Sequence, residues 1–219
     1  MTNTTSTRYK DLDSGQQGMF AAKCRAFGID PAKVPASVTT ENGGKGLLLG
    51  HASGSATVTP SANITVANIR ELANYGGVKD EEYLNGSASD AFVKYPAKLS
   101  TLSAPTLAAC DGDVCKLKDS MSLEHHQAVN QAMQAYLLGN STKVQEYEEH
   151  INALHFPMQM AVYAAQDIVI TKDNPLIIDN PEGHPSSYVY GTVTVEEGGY
   201  ILVKTPLSLD AQAFTTLNT

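Results

Sequence analysis

The chain has 219 residues, with 15 Lys plus Arg against 23 Asp plus Glu and a formal net charge of −8. That length suffices for one large domain or two small ones with a core of their own, so no disulfide staple is required. The acidic balance offers nothing to attract a phosphate backbone or an anionic membrane surface, which argues against nucleic acid as a partner.

The opening residues MTNTTSTRYKDLDSG lack the apolar core of a signal peptide, and no later stretch has the apolar length of a membrane-spanning helix. The expectation is a chain that is cytoplasmic as synthesised, with non-classical export as its route if it acts outside. A helix is predicted from Ser14 to Phe27, opened by a Ser14 and Gln17 capping box and stopped by Gly28. Phe20, Cys24 and Phe27 recur at helical spacing, so Cys24 reads as a small buried hydrophobe rather than a catalytic thiol. Ile29 to Gly46, with three Gly and two Pro, reads as a loop. Its ENGGKG has the glycines of a phosphate loop in the wrong number and order.

From His51 to Val66 the sequence HASGSATVTPSANITV alternates polar with small or apolar residues. Ser53, Ser55, Thr57 and Thr59 share the polar face with His51, Ser61, Asn63 and Thr65. Such alternation suits a β-barrel pore strand, so one reading is a soluble pore-forming toxin, and a membrane is a partner under that reading alone. The opposite face of Ala52, Gly54, Ala56 and Pro60 buries little area, and Pro60 cannot donate to a ladder. The favoured reading is therefore a soluble amphipathic hairpin turning at Pro60-Ser61. GHASG, at Gly50 to Gly54 where this stretch begins, has His51 in place of the glycine a nucleophile elbow needs two residues before Ser53.

A short helix is expected from Asn68 to Tyr75, ended by Gly76 and Gly77, with helical turns at Lys79 to Leu84 and Ser89 to Tyr95. The segment from Pro96 to Asp119 reads as irregular. Within it Cys110 and Cys115 bracket DGDV and would close a small disulfide ring in oxidising surroundings. Asp111 and Asp113 lack the later oxygen ligands of a calcium loop.

The clearest helical unit is Ser122 to His155, a hairpin broken at Gly139-Asn140-Ser141 with Thr142 and Gln145 as a second capping box. Its apolar stripes are Val129, Ala132, Met133, Tyr136 and Leu137, then Val144, Tyr147, Ile151 and Leu154. Hairpin geometry brings His125, His126 and His155 to the open end, with Glu124 beside them, as three nitrogen donors for a zinc-type site. Adjacent histidines diverge by about 100° on a helix, and the usual two-ligand spacings are absent. The competing reading is interior histidines satisfied by backbone or Tyr hydroxyls.

After Pro157 the chain is β-rich: DIVIT, PLIID, SYVYGTVTVEE, GYILVK and LSLDAQAF are separated by turn residues. With no helix between them, antiparallel pairing or stacked solenoid turns are expected. A faint echo between ATVTPSANITV and IVITKDNPLII suggests that both β segments share one sheet system. The fold class predicted is α+β: helical N-terminal and central segments, with a helical hairpin packed beside an antiparallel or solenoid-like C-terminal β-domain. Residues 1–157 would form the mixed helical region and 158–219 the β-rich domain, the two being readable as one continuous domain.

No complete catalytic constellation or cofactor motif is present, whereas the strands are long and low in charge. The function this favours is a non-enzymatic structural or interaction protein, a homo-oligomer that assembles or binds through Ser-, Thr- and Tyr-rich strands. The contact residues expected are Tyr188, Tyr190 and Tyr200, with Ser53, Ser55, Thr57 and Thr59. The alternatives are the pore-forming toxin and a metal-dependent enzyme with its histidine site on the helical hairpin.

Overall fold

The computed structural model describes residues 6–40, 47–49, 60–179, 185–205 and 207–217. Two units divide the chain, residues 1–64 together with 159–219, and residues 65–158.

In the first unit, helix α1 (Ser14–Ala26) starts where the sequence suggests, but its capping box is shifted one residue earlier. Asp13 is its cap, accepting from Gln16 N while the Gln16 side chain returns to Asp13 N. Gly28, at φ +71°, ends it in the left-handed region that glycine adopts without strain. The strands are β1 (Ser37–Thr39), β2 (Leu47–Leu49), β3 (Ala62–Val66), β4 (Met158–Ile170), β5 (Leu176–Ile178), β6 (Ser186–Val195), β7 (Ile201–Val203) and β8 (Leu207–Thr216). One sheet has the order β1-β4-β6-β8 with β3 also paired to β4, and the other has the order β2-β5-β7. β3 thus joins the sheet of the C-terminal strands, as the sequence echo suggests.

The expectation of an α+β chain with an antiparallel or solenoid-like β-domain is overturned. β4 pairs in parallel with β1 and with β6, β6 with β8, and β5 with β2 and with β7. The architecture is α/β, with mostly parallel sheets and helices. Its sheets are not built from contiguous turns alone, because β1 and β4 are neighbours across a long intervening stretch that includes the whole second unit. Parallel neighbours need a crossover connection, usually a helix. Here β5 carries the chain from β4 to β6 and β7 carries it from β6 to β8, so a short strand of the other sheet does what a helix usually does.

Parallel register lines side chains up in rows across the strands. Tyr163, Tyr188 and Leu209 share one row, and Ile168, Val193 and Phe214 share another. Leu176 adjoins Ile201, and Ile178 adjoins Val203, in the second sheet. Between the sheets lies a core of Ala161, Tyr163, Ala165, Ile168 and Ile170 from β4, Tyr188, Tyr190 and Val193 from β6, and Leu176 and Ile178 from β5. The core positions change parity midway along both long strands, between Ala165 and Ile168 and between Tyr190 and Val193. Pairing stops at Ala165 with Tyr190 and resumes at Asp167 with Thr192, so Gln166 and Gly191 mark a local break in the pleat. Gly191 is required there: a Cβ would lie 2.3 Å from Tyr9 Cδ2 and 2.6 Å from Gln166 O. α1 packs against β6 and β8, burying Phe20 and Cys24. With helix on one side and the second sheet on the other, β6 is buried along nearly its whole length.

The second unit holds α2 (Ile69–Gly76), α3 (Asp80–Leu84), α4 (Leu99–Leu102), α5 (Val114–Ser120), α6 (Leu123–Leu138) and α7 (Glu148–His155). Asn68 caps α2 through Glu71 N, and Ser122 caps α6 through His125 N. Where one helix from Thr142 to His155 is expected, a 3-10 segment at Ser141–Tyr147 precedes α7, with Val144 out of helical geometry at φ −127°. The core contains Ile69, Leu72, Leu117, Val129, Ala132, Ala135, Val144, Tyr147 and Ile151. Among the described residues no helix is long and apolar enough to cross a membrane.

Candidate functional site

The proposed histidine ligands do not form a metal centre. His125 spends both ring nitrogens locally, Nδ1 accepting from Ser122 N at 3.1 Å and Nε2 donating to Leu102 O at 3.0 Å. With both ring nitrogens engaged, His125 has no lone pair left for an ion. His126 and His155 are brought into electrostatic range, as hairpin geometry anticipates. Burial first, then the charges of Lys118 and His126, lower the pKa of His155. Its Nε2 is buried without a hydrogen-bond partner among the described residues, as is Nδ1 of His150, whose Nε2 donates to Pro105 O at 2.7 Å. Glu124 is exposed. No group of three His, Cys, Asp or Glu among the described residues is placed to hold a metal ion.

Cys110 and Cys115 are free thiols, the first buried and within 3.6 Å of Ser120 Oγ, the second exposed. They do not close the expected ring, because Asp113, lying between them, caps α5 and Cys115 belongs to the first turn of that helix. Cys24 is buried, and that burial pushes its thiol up to about 11, the opposite of what a nucleophile needs.

The three tyrosines separate. Tyr188 is fully buried and stacks on Tyr163 with ring centroids 5.4 Å apart, its hydroxyl 2.9 Å from Ser186 Oγ. Tyr190 is buried beside it, and desolvation drives both hydroxyls far up in pKa. The contact role expected of these two is corrected: β6 is an interior strand, so its aromatic side chains pack the core and have no surface to offer. Tyr200 is 51% exposed and keeps that role open. Ser53, Ser55, Thr57 and Thr59 lie outside the described residues.

What the sequence reading misses is the open end of the two sheets. Among the described residues, β8 terminates one sheet and β7 the other. The core rows run on into these strands, where their last members are left partly bare: Leu209 is 36% exposed, Phe214 53% and Val203 52%, with Leu202 exposed alongside. Edge strands are usually blunted by Lys, Pro or inward charge. Across its ten residues LSLDAQAFTT, β8 carries one charge, Asp210, and that is drawn toward α1 by Lys23 at 3.8 Å. Lys204 beside β7 is engaged with Asp179 at 2.9 Å. The sequence carries a signal for this edge in the apolar residues Leu207, Leu209 and Phe214 of a strand with a single charge.

No family model matches the chain, and neither the curated proteins nor the solved structures contain a match to it.

Proposed function

We propose that the chain is a non-enzymatic structural or interaction protein that associates with other copies of itself through the open end formed by β7 and β8. The observation that carries this reading is that the core rows end on exposed apolar side chains, Leu209 and Phe214 of β8 and Val203 of β7, on strands with no further strand partner among the described residues. An unprotected edge offers backbone groups for pairing, and bare core residues supply apolar area to bury against a neighbour. Three such side chains, each the last member of a core row, exceed the scattered singles that need no explanation. The acidic balance argues against nucleic acid as the partner on this edge.

Sedimentation velocity from low to high micromolar protein tests the reading. A concentration-dependent dimer or larger species is expected, and Val203→Lys with Phe214→Lys should return it to monomer with an unchanged far-UV circular dichroism spectrum. A wild-type protein that stays monomeric throughout would remove it.

A further inference from the structure

We infer that the occupant of this edge is β8 of a second copy, paired antiparallel about a two-fold axis between Ala211 and Gln212. This rests on the self-association proposed above and specifies its geometry. The opposite edge of the long-stranded sheet is a poor acceptor. β4 is covered there by β1, of three residues with Ser37 and Thr39 exposed, and by β3, of five residues. A head-to-tail contact would set the ten residues of β8 against these short pieces, leaving much of its length unpaired. A two-fold contact sets β8 against a strand of its own length, and two strands related in that way must run antiparallel.

The register follows from the parity change in the sheet. The rows through Tyr188 and Tyr190 end on Leu209 and Ala211, whereas the rows through Val193 and Val195 end on Phe214 and Thr216. The core side of β8 is therefore odd-numbered in its first half and even-numbered in its second. In an antiparallel pair, directly opposite residues lie on the same face of the sheet. Under a two-fold axis, core side meets core side in both halves only when odd positions face even ones, which places the axis between two residues rather than on one. The axis between Ala211 and Gln212 also lets β8 overlap its counterpart along its whole length, Leu207 to Thr216, with the break in the pleat at Gln212 falling beside the axis.

It sets Leu209 opposite Phe214 of the second copy, so the row Tyr163, Tyr188, Leu209 continues into the second copy's Phe214, Val193 and Ile168. Asp210 meets Ala213 and so avoids its own counterpart. An axis on Asp210 would oppose two carboxylates and turn half of the core side outward.

Variants with one introduced cysteine in a Cys115→Ser background, where the remaining Cys24 and Cys110 are buried, are treated with a short bis-maleimide to test the register. Ala211→Cys, beside the axis, should cross-link to itself. Leu209→Cys and Phe214→Cys should cross-link when mixed but not when each is alone, since like positions lie about 17 Å apart along strands rising about 3.4 Å per residue. Sedimentation of the unlinked variants shows that they still associate. Association with no Ala211→Cys product, or with self-linking of Leu209→Cys, overturns the two-fold register while leaving self-association standing. Wild-type protein that remains monomeric overturns both.

Discussion

β6 and β8 are both ten residues long and lie in parallel register, yet nine positions of β6 are buried and none of β8 is. Their compositions do not account for this: β6 carries four hydroxyl residues besides its two tyrosines, and β8 carries Leu207, Leu209 and Phe214. Place in the sheet decides it. β6 has strands on both edges, while β8 has β6 on one edge and no strand on the other among the described residues. A row of side chains begun in β4 is closed over at β6 and left open at β8, so the same row is core at one strand and contact surface at the next.

The largest effect that should separate the two strands is truncation within one row. Tyr188→Ala removes a buried ring stacked on Tyr163 and should cost about 3–5 kcal/mol in urea unfolding. Leu209→Ala in the same row should cost dilute monomer less than about 1 kcal/mol, because a partly exposed side chain forfeits little burial, and should act mainly on association. Equal losses at both sites would erase the distinction between the strands.

Gly191→Ala comes next, with an expected loss of about 1–3 kcal/mol from overpacking, since Gln166 O is backbone and cannot turn aside. Gln212→Ala, one strand further out, should fall within about 0.5 kcal/mol of wild type in the same titration. A comparable effect follows at Asp167, whose Oδ1 accepts from Tyr9 N at 2.7 Å and from Thr192 Oγ1 at 2.6 Å. Asp167→Ala should cost about 1–3 kcal/mol by leaving two donors without their acceptor, and hydrogen exchange should show the Tyr9 amide losing protection.

The smallest expected effect is a control in the helical unit, where edge substitutions in β8 should change nothing. His155 has its pKa lowered in the folded state, so protonation favours the unfolded chain. Its contribution is intact above the ordinary histidine value of 6.5 and is lost as pH falls from there through the lowered folded value. Replacing it, as His155→Gln, should flatten stability against pH in that window, while Phe214→Lys should leave the slope as in wild type. A slope unchanged by His155→Gln would assign the acid sensitivity to another group.

Helix signals carried through from sequence to structure where capping is local. Asn68, Ser122 and Gly28 mark helix ends, and the α6 stripe residues Val129, Ala132 and Tyr136 are buried. The five C-terminal strands also lie where β-branched and aromatic runs place them, although β4 begins at Met158, well before DIVIT, because MQMAVYAA carries no strong strand signal. Strand direction was not legible. Absence of helices between strands argues for antiparallel pairing only when helices are assumed to make the crossovers, and here β5 and β7 make them. Nor could periodicity tell an interior tyrosine from an edge one: Tyr190 and Tyr200 sit in similar runs, and only sheet order buries the first and exposes the second. His126 and His155 lie within electrostatic reach of each other, whereas a carbonyl from Leu102, in a segment whose sequence reads as irregular, claims the His125 ring nitrogen that a metal would need.

The ladder between β3 and β4 has a consequence for how the protein can be rebuilt. Ser61 N donates to Val162 O at 2.8 Å and Ala164 N donates to Ser61 Oγ at 3.0 Å, so the strand that leads into the helical residues and the strand that leads out of them are already stitched together. Residues 65–158 therefore occupy the position of a single enlarged loop in the sheet's wiring. An insertion whose ends are held at one seam is a cassette. A brief turn could stand in its place without altering the order of the sheet, and an unrelated domain whose termini lie close together could be carried there instead.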